Sequence, residues 1–114
     1  MLSKDVKMPV LGIGTWGLGG KHSADYSRDE GSVIAMQSAI DLEMTHIDTA
    51  EYYGAGHTEE LVGKAIKPYQ RDNLFITTKV YRTHLRETDV LSSIRHSLKR
   101  LSTNYVDLFL IHWP

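Results

Sequence analysis

Four polar side chains stand at or near the ends of short apolar runs, and their types could support proton transfer. Asp48 lies near the end of the run 45–49, and Tyr53 follows in the next loop. Lys79 lies in the run 74–80, and His112 ends the run 106–112. A tyrosine hydroxyl, with a pKa of about 10 in water, is a poor acid at neutral pH. A nearby ammonium group lowers that pKa, and a carboxylate can hold the ammonium in place and charged.

This set of side chains would suit the reduction of a carbonyl group. A histidine nitrogen can orient a substrate oxygen or share a proton with it, while the tyrosine protonates that oxygen. The reaction also needs hydride at the carbonyl carbon. Because no protein side chain donates hydride, the chemistry predicts a nicotinamide cofactor.

The elements that would position these residues alternate between strands and helices. A capping-box pattern, Ser27 followed by Glu30, predicts the start of the first helix, and Pro68 ends the second. Apolar residues recur at helical spacing in the third helix. The predicted strands span 10–14, 45–49, 74–80 and 106–112, and the predicted helices span 27–42, 58–67 and 90–101. This order predicts a parallel sheet with right-handed crossovers, in which function gathers beyond the carboxyl ends of the strands.

A second interpretation of the N-terminal segment is a dinucleotide-binding fingerprint, because GIGTWG at 12–17 matches G-x-G-x-x-G. That fingerprint requires a helix that opens at its third glycine, whereas the predicted helix begins near Ser27. Trp16 would also crowd a backbone that must approach a phosphate. The sequence therefore favours a glycine-rich strand and turn over a Rossmann site.

The composition of the chain narrows the classes of function and binding partner that remain. The 114 residues carry a formal net charge of −1, which gives no support for nucleic acid or an anionic membrane as partner. There is no cysteine, which excludes disulfides and Cys-ligated metals, and the histidines lack metal-ligand spacing. No apolar run is long enough to span a bilayer, and the N-terminus lacks the apolar core of a secretory signal, so a cytoplasmic protein is expected. Arg95, Lys99 and Arg100 are interpreted as a solvated helix face.

Four segments resemble the aldo-keto reductases. They are MPVLGIGTWGLGG, IDTAEYYG, ITTKV and LKRLSTNYVDLFLIHWP, and they follow one another in the family's order. The resemblance implies a parallel (β/α)₈ TIM-type barrel, the cofactor NADPH, and reduction of aldehydes or ketones to alcohols. NADH stays open as an alternative cofactor, and the identity of the carbonyl substrate is not indicated.

The resemblance also implies roles for individual residues. Tyr53 would be the general acid, tuned by Lys79 and Asp48, and His112 would orient the carbonyl. Cofactor contacts would come from Gly14, Thr15, Trp16 and Asp48. Trp16 and Trp113 would line the substrate pocket together with His112, with packing at the rim as the alternative for the two tryptophans.

Residues 1–114 would then form one unit, the first half of such a barrel, with about four strands and three helices. Four strands cannot close a barrel, and they leave an apolar inner face and unpaired edges. A fragment of a longer reductase, a naturally short product and a half-barrel that pairs with itself or a second half-barrel are all compatible with this pattern. Weak or absent catalysis is expected of the chain alone. A non-catalytic interaction or regulatory module is the alternative function.

Overall fold

Four parallel strands and three covering helices make up the part of the chain that the computed structural model describes, residues 12–81 and 86–112. The strands pair in the order β1-β2-β3-β4. In chain order the elements are β1 (Gly12–Gly14), α1 (Asp29–Asp41), β2 (His46–Asp48), α2 (His57–Ile66), β3 (Phe75–Tyr81), α3 (Glu87–Leu101) and β4 (Leu108–His112). Short 3₁₀ turns at Tyr53–Gly56 and Arg71–Asn73 precede α2 and β3. The predicted alternation and the parallel sheet are confirmed.

The helices bury apolar residues against one face of the sheet. Ile47 and Ile76 of the central strands are fully buried there, beside Leu61 of α2 and Met36 of α1. Because side chains alternate along a strand, their neighbours Asp48 and Thr77 point to the opposite face. The hydrophobic layer therefore fixes which face carries the polar residues.

The predicted capping box at the start of α1 is wrong. The N-cap position belongs to Arg28, with no side-chain cap. Ser27 lies in the preceding turn, where its N–H and hydroxyl both donate to Asp25 Oδ1 at 2.9 and 2.6 Å. These two bonds lower the pKa of Asp25. The local Asp25–Ser27 turn thus uses the hydroxyl that a capping box would need.

Helix α3 buries only part of its predicted apolar stripe, which comprises Val90, Leu91, Ile94, Leu98 and Leu101. Its buried positions are Ser93, Ser97 and Leu101, whereas Leu91 is 49% exposed. Helices α2 and α3 approach closely at Gly63, beside the last residues of α3. A Cβ added to Gly63 would lie 2.6 Å from the carbonyl oxygen of Arg100.

Replacing Gly63 with alanine is expected to destabilise the fold by about 1–3 kcal/mol, the usual cost of overpacking. Gly31 of α1 is the matched control, because a Cβ there meets nothing within 4 Å. Gly31→Ala should stabilise by about 0.4–1 kcal/mol through the unfolded chain. Urea unfolding of the two variants measures both effects, and equal midpoints would contradict the close helix contact.

Asp107, in the segment that resembles the reductases, lies at the amino ends of the strands. Its Oδ2 accepts hydrogen bonds from the Ile76 backbone N–H at 2.8 Å and from Arg71 Nη2 at 2.9 Å. The guanidinium of Arg71 also lies 4.0 Å from the centre of the Tyr105 ring. This aspartate therefore ties β4 to β3 at the end opposite to Lys79.

None of the helices in the described ranges is long and apolar enough to cross a membrane.

Candidate active site

Lys79 contacts two of the other residues that the sequence singled out, Asp48 and Tyr53. Its ammonium donates to Asp48 Oδ1, to the backbone oxygen of Thr49 at 3.1 Å and to the Tyr53 hydroxyl oxygen at 3.4 Å. The Lys79 side chain is 15% exposed, and that of Asp48 is 47% exposed. The ammonium is thus held among three oxygen atoms, and it approaches Tyr53 as a hydrogen-bond donor.

Strand pairing explains why Asp48 and Lys79 meet. Asp48 pairs with Thr77, so Lys79 lies two residues further along β3 on the same face. Beyond β2 the chain stays bonded to β3, since Thr49 N–H donates to Thr77 O at 2.8 Å and Glu51 N–H donates to Lys79 O at 3.2 Å. The carboxylate therefore reaches the ammonium from the neighbouring strand.

A tight turn brings Tyr53 back over the strand ends. Gly54 and Gly56 have φ values of 57° and 98°, a region that glycine adopts without cost. A Cβ on Gly54 would also lie 2.5 Å from the Gly19 carbonyl oxygen. Gly54 N–H donates to Lys21 O at 2.8 Å, which joins the turn to the β1–α1 loop.

The β1 end contributes an open surface beside Asp48. Gly14 pairs with Asp48, and a Cβ added to Gly14 would meet nothing within 4 Å. Trp16 is 46% exposed, and its ring lies 5.1 Å from that of Tyr53 at an interplanar angle of 60°. Thr15 differs, because it is fully buried and donates its N–H and its hydroxyl to Asp48 O at 3.1 and 2.8 Å. Thr15 joins β1 to β2, and its predicted contact with a cofactor stays a prediction.

His112 and Trp113 complete the predicted set. The backbone of His112 lies in β4 and pairs with Tyr81, while Lys79 pairs with Leu110. The side chain of His112 and all of Trp113 lie outside the described residues. Their assignment to the substrate pocket stays a prediction.

An aromatic row beside Tyr53 was not predicted. Tyr52 stacks on Tyr81 with ring centres 4.5 Å apart and an angle of 9°. His22 Nδ1 lies 2.7 Å from the Tyr52 hydroxyl, and the His22 ring meets Trp16 edge-on at 5.6 Å. A cavity of about 480 Å³ lies next to this row, between the turn before α2 and helix α3, and not over Lys79. The only signal in the sequence was the doubled tyrosine at 52–53.

The interpretation of Arg100 as a solvated residue is wrong. Its Nε and Nη2 lie 2.8 and 2.6 Å from Glu59 Oε1, and Glu59 is fully buried. The other carboxylate oxygen of Glu59 accepts the Thr78 hydroxyl at 2.7 Å. A Cβ on Gly56 would lie 3.2 Å from the Arg100 side chain. The ion pair therefore lies directly beneath the turn that carries Tyr53.

Within the part of the chain that is described, no group of three or more histidine or acidic side chains is arranged to hold a metal ion. The polar cluster around Lys79 instead combines an ammonium, a carboxylate and a phenol. Such a set can hold and donate a proton beside an open surface.

The family model of the aldo/keto reductase family matches residues 10–114. The chain belongs to the aldo/keto reductase family. The resemblance in the four sequence segments is thereby confirmed, and so is the fold class, since four parallel strands with their helices match the first half of a reductase (β/α)₈ barrel.

Known reductases are similar over nearly the whole chain. The solved structure of the thermostable aldo-keto reductase Tm1743 with the inhibitor epalrestat superposes with a TM-score of 0.94 at 59% identity, covering 97% of this chain and 40% of that one. A Klebsiella pneumoniae aldo-keto reductase in complex with NADPH gives a TM-score of 0.83 at 38% identity, covering 92% and 35%. The methylglyoxal reductase YeaE of Escherichia coli is 39% identical over 97% of this chain and 37% of its own length. The chain thus spans about two fifths or less of the length of these reductases.

Proposed function

We propose that this chain forms the proton-donating half of an NADPH-dependent active site that reduces aldehydes or ketones to alcohols. The observation that carries the proposal is the Lys79 ammonium, placed between the Asp48 carboxylate and the Tyr53 hydroxyl. The names of similar proteins support the reaction class, since they include a methylglyoxal reductase and an NADP(+)-dependent glycerol 2-dehydrogenase of Saccharomyces cerevisiae.

The residues at the β1 and β2 ends fit part of a nicotinamide cofactor. Gly14 leaves the sheet surface open beside Asp48, so a flat group can approach the backbone there. The half-exposed carboxylate of Asp48 can accept a hydrogen bond from a ribose hydroxyl, and the exposed ring of Trp16 borders the same surface. When bound, reduced nicotinamide supplies hydride to the carbonyl carbon.

The chain's own contribution is the proton. Lys79 donates to the Tyr53 oxygen, and the Tyr53 hydroxyl would give its proton to the oxygen of a carbonyl substrate. The positive charge also stabilises the phenolate that remains after the proton has left. Asp48 keeps the ammonium in position. His112, at the end of β4, would orient the carbonyl, and Trp16 and Trp113 would border the substrate.

Further β/α units would complete the barrel, on the same polypeptide or on a second half-barrel. Leu110 and Ile111 of the edge strand β4 are 41% and 59% exposed, which supports a covering partner on this side. The same exposed edge would serve a non-catalytic interaction module, the alternative function. Residues 1–114 would in either case act as one half-barrel unit.

The test is carbonyl-dependent consumption of NADPH by the complete polypeptide that carries this sequence, followed by absorbance. Lys79→Met removes a charge-assisted hydrogen bond of about 1.5–3 kcal/mol, so kcat should fall about 10- to 150-fold. Lys64→Met, which changes an exposed lysine of α2, should keep the original rate. NADPH binding without turnover would favour the interaction module, and equal rates for the two variants would remove Lys79 from the mechanism.

A further inference from the structure

His57, the first residue of α2, lies in a position that the proposed chemistry does not use. It is 4% exposed, and both of its ring nitrogens face carboxylates. Nε2 lies 2.8 Å from Asp29 Oδ1 at the start of α1, and Nδ1 lies 3.1 Å from Glu60 Oε1. A neutral imidazole has one N–H and can donate to only one of these, whereas an imidazolium donates to both. The geometry therefore fits a protonated histidine.

The surroundings of the ring favour the charged form. Burial lowers the pKa of His57, but the hydrogen bonds and charges of Asp29 and Glu60 outweigh it, and the pKa is raised above its ordinary value of 6.5. The β1–α1 loop adds the Tyr26 ring at 4.1 Å and the carboxylate of Asp25, whose own pKa the His57 charge helps to lower. Three carboxylates from the loop, α1 and α2 thus act on one imidazole.

The loop that His57 contacts carries part of the candidate active site. This loop, residues 15–26, places Trp16 against Tyr53 and His22 against Tyr52. It rests on α2 at Gly19, where a Cβ would lie 3.1 Å from His57 Cδ2.

Few direct bonds in the described residues join this loop to the start of α2. Thr58 donates its hydroxyl to Leu18 O, and Gly54 N–H donates to Lys21 O at 2.8 Å. The contacts of His57 with Tyr26 and Asp29 hold the far end of the loop, where it enters α1.

We propose that protonated His57 is a positioning residue, a clasp that holds the β1–α1 loop and the start of α1 against α2 and so keeps Trp16 in contact with Tyr53. Loss of the proton breaks one of the two carboxylate bonds and loosens the loop. The clasp depends on the fold alone, and only its effect on turnover rests on the proposed function.

The direction of the pH dependence follows from the raised pKa of His57. The folded state holds this proton more tightly than the unfolded state, so the stabilisation is fully present below pH 6.5, the ordinary histidine value. It is lost as the pH rises above 6.5 and passes through the folded-state pKa. Stability and loop protection should therefore decrease together on the alkaline side.

The experiment measures hydrogen exchange of the loop 15–26 and histidine ring resonances by NMR, between about pH 6 and pH 8.5, in the complete polypeptide. His57 should titrate above pH 6.5, the ordinary histidine value, and loop exchange should become several-fold faster as His57 loses its proton, beyond the intrinsic effect of pH on exchange. His57→Gln should exchange fast at every pH after the same correction, while His96→Gln should behave like the original protein. If the exchange rate of the loop does not change as His57 titrates, the proposed role of His57 is wrong.

Asp29→Asn is the milder variant, because it keeps the size of the side chain and removes one charge. It should lower the titration midpoint of His57 and lower the pH of loop opening by the same amount. A shifted midpoint with unchanged loop opening would refute the clasp. The KM for the carbonyl substrate should rise in His57→Gln more than kcat falls. Absence of turnover in every variant would contradict the proposed function, while the exchange data would still decide on the clasp.

Discussion

Tyr53→Phe is expected to lower kcat for carbonyl reduction by about 10²–10⁴-fold, the usual contribution of general acid catalysis. The phenol is the group that receives the Lys79 hydrogen bond, at 3.4 Å, and it lies at the open ends of the strands. Phenylalanine keeps the ring that contacts Trp16 and removes only the oxygen that carries the proton. Steady-state rates with NADPH and a reactive aldehyde measure the effect.

Tyr69→Phe is the matched control for this prediction. Tyr69 donates its hydroxyl to Asp41 Oδ1 at 2.7 Å on the surface of α1, and this bond is the main cause of its raised pKa. Its removal should leave kcat unchanged. If Tyr53→Phe and Tyr69→Phe retain the same rate, Tyr53 is not the proton donor.

Arg100→Met is expected to destabilise the fold by about 3–5 kcal/mol, because it leaves the buried carboxylate of Glu59 without its ion-pair partner. Glu59 is fully buried, and the Arg100 side chain is 26% exposed, so water can replace little of the lost interaction. The guanidinium also underlies Gly56 in the turn that carries Tyr53, so catalysis should decrease together with stability. Denaturant unfolding measures the free energy.

Lys99→Met removes the neighbouring, exposed positive charge of the same helix, and it should change stability by no more than about 0.5 kcal/mol. The double variant Glu59→Gln with Arg100→Met should recover part of the loss, because the buried charge is gone. A double-mutant cycle with no coupling between positions 59 and 100 would contradict the ion pair.

The alternation of strands and helices could be predicted because each element carries a local pattern. Short apolar runs predicted β3 and β4, and the helical spacing of apolar residues predicted α3. Element ends were less predictable. Ser27 forms a turn with Asp25 instead of capping α1, since two arrangements compete locally for the same hydroxyl.

Some polar residues of the candidate site could likewise be predicted from the sequence, and others could not. Asp48, Tyr53 and Lys79 could be named because their types and strand-end positions are visible in the chain. The partners Glu59 and Arg100 could not be paired, because each looks like an ordinary helix surface residue until α2 packs on α3. His57 looked equally ordinary, although the fold buries it between two carboxylates from different helices.

By itself the sequence determined the element order, the family and the chemical types that stand at the strand ends, because these depend on local pattern and spacing. Only the tertiary structure decided which charges are buried and paired. Burial sets the strength of an electrostatic interaction, and it arises from contacts between residues far apart in the chain, such as Lys79 with Asp48, Arg100 with Glu59 and His57 with Asp29. Tertiary contacts also distinguish Asp107 from Lys79. Both are charged residues in segments that resemble one family, but Asp107 links β4 to β3, whereas Lys79 contacts Tyr53 and is a candidate catalytic group.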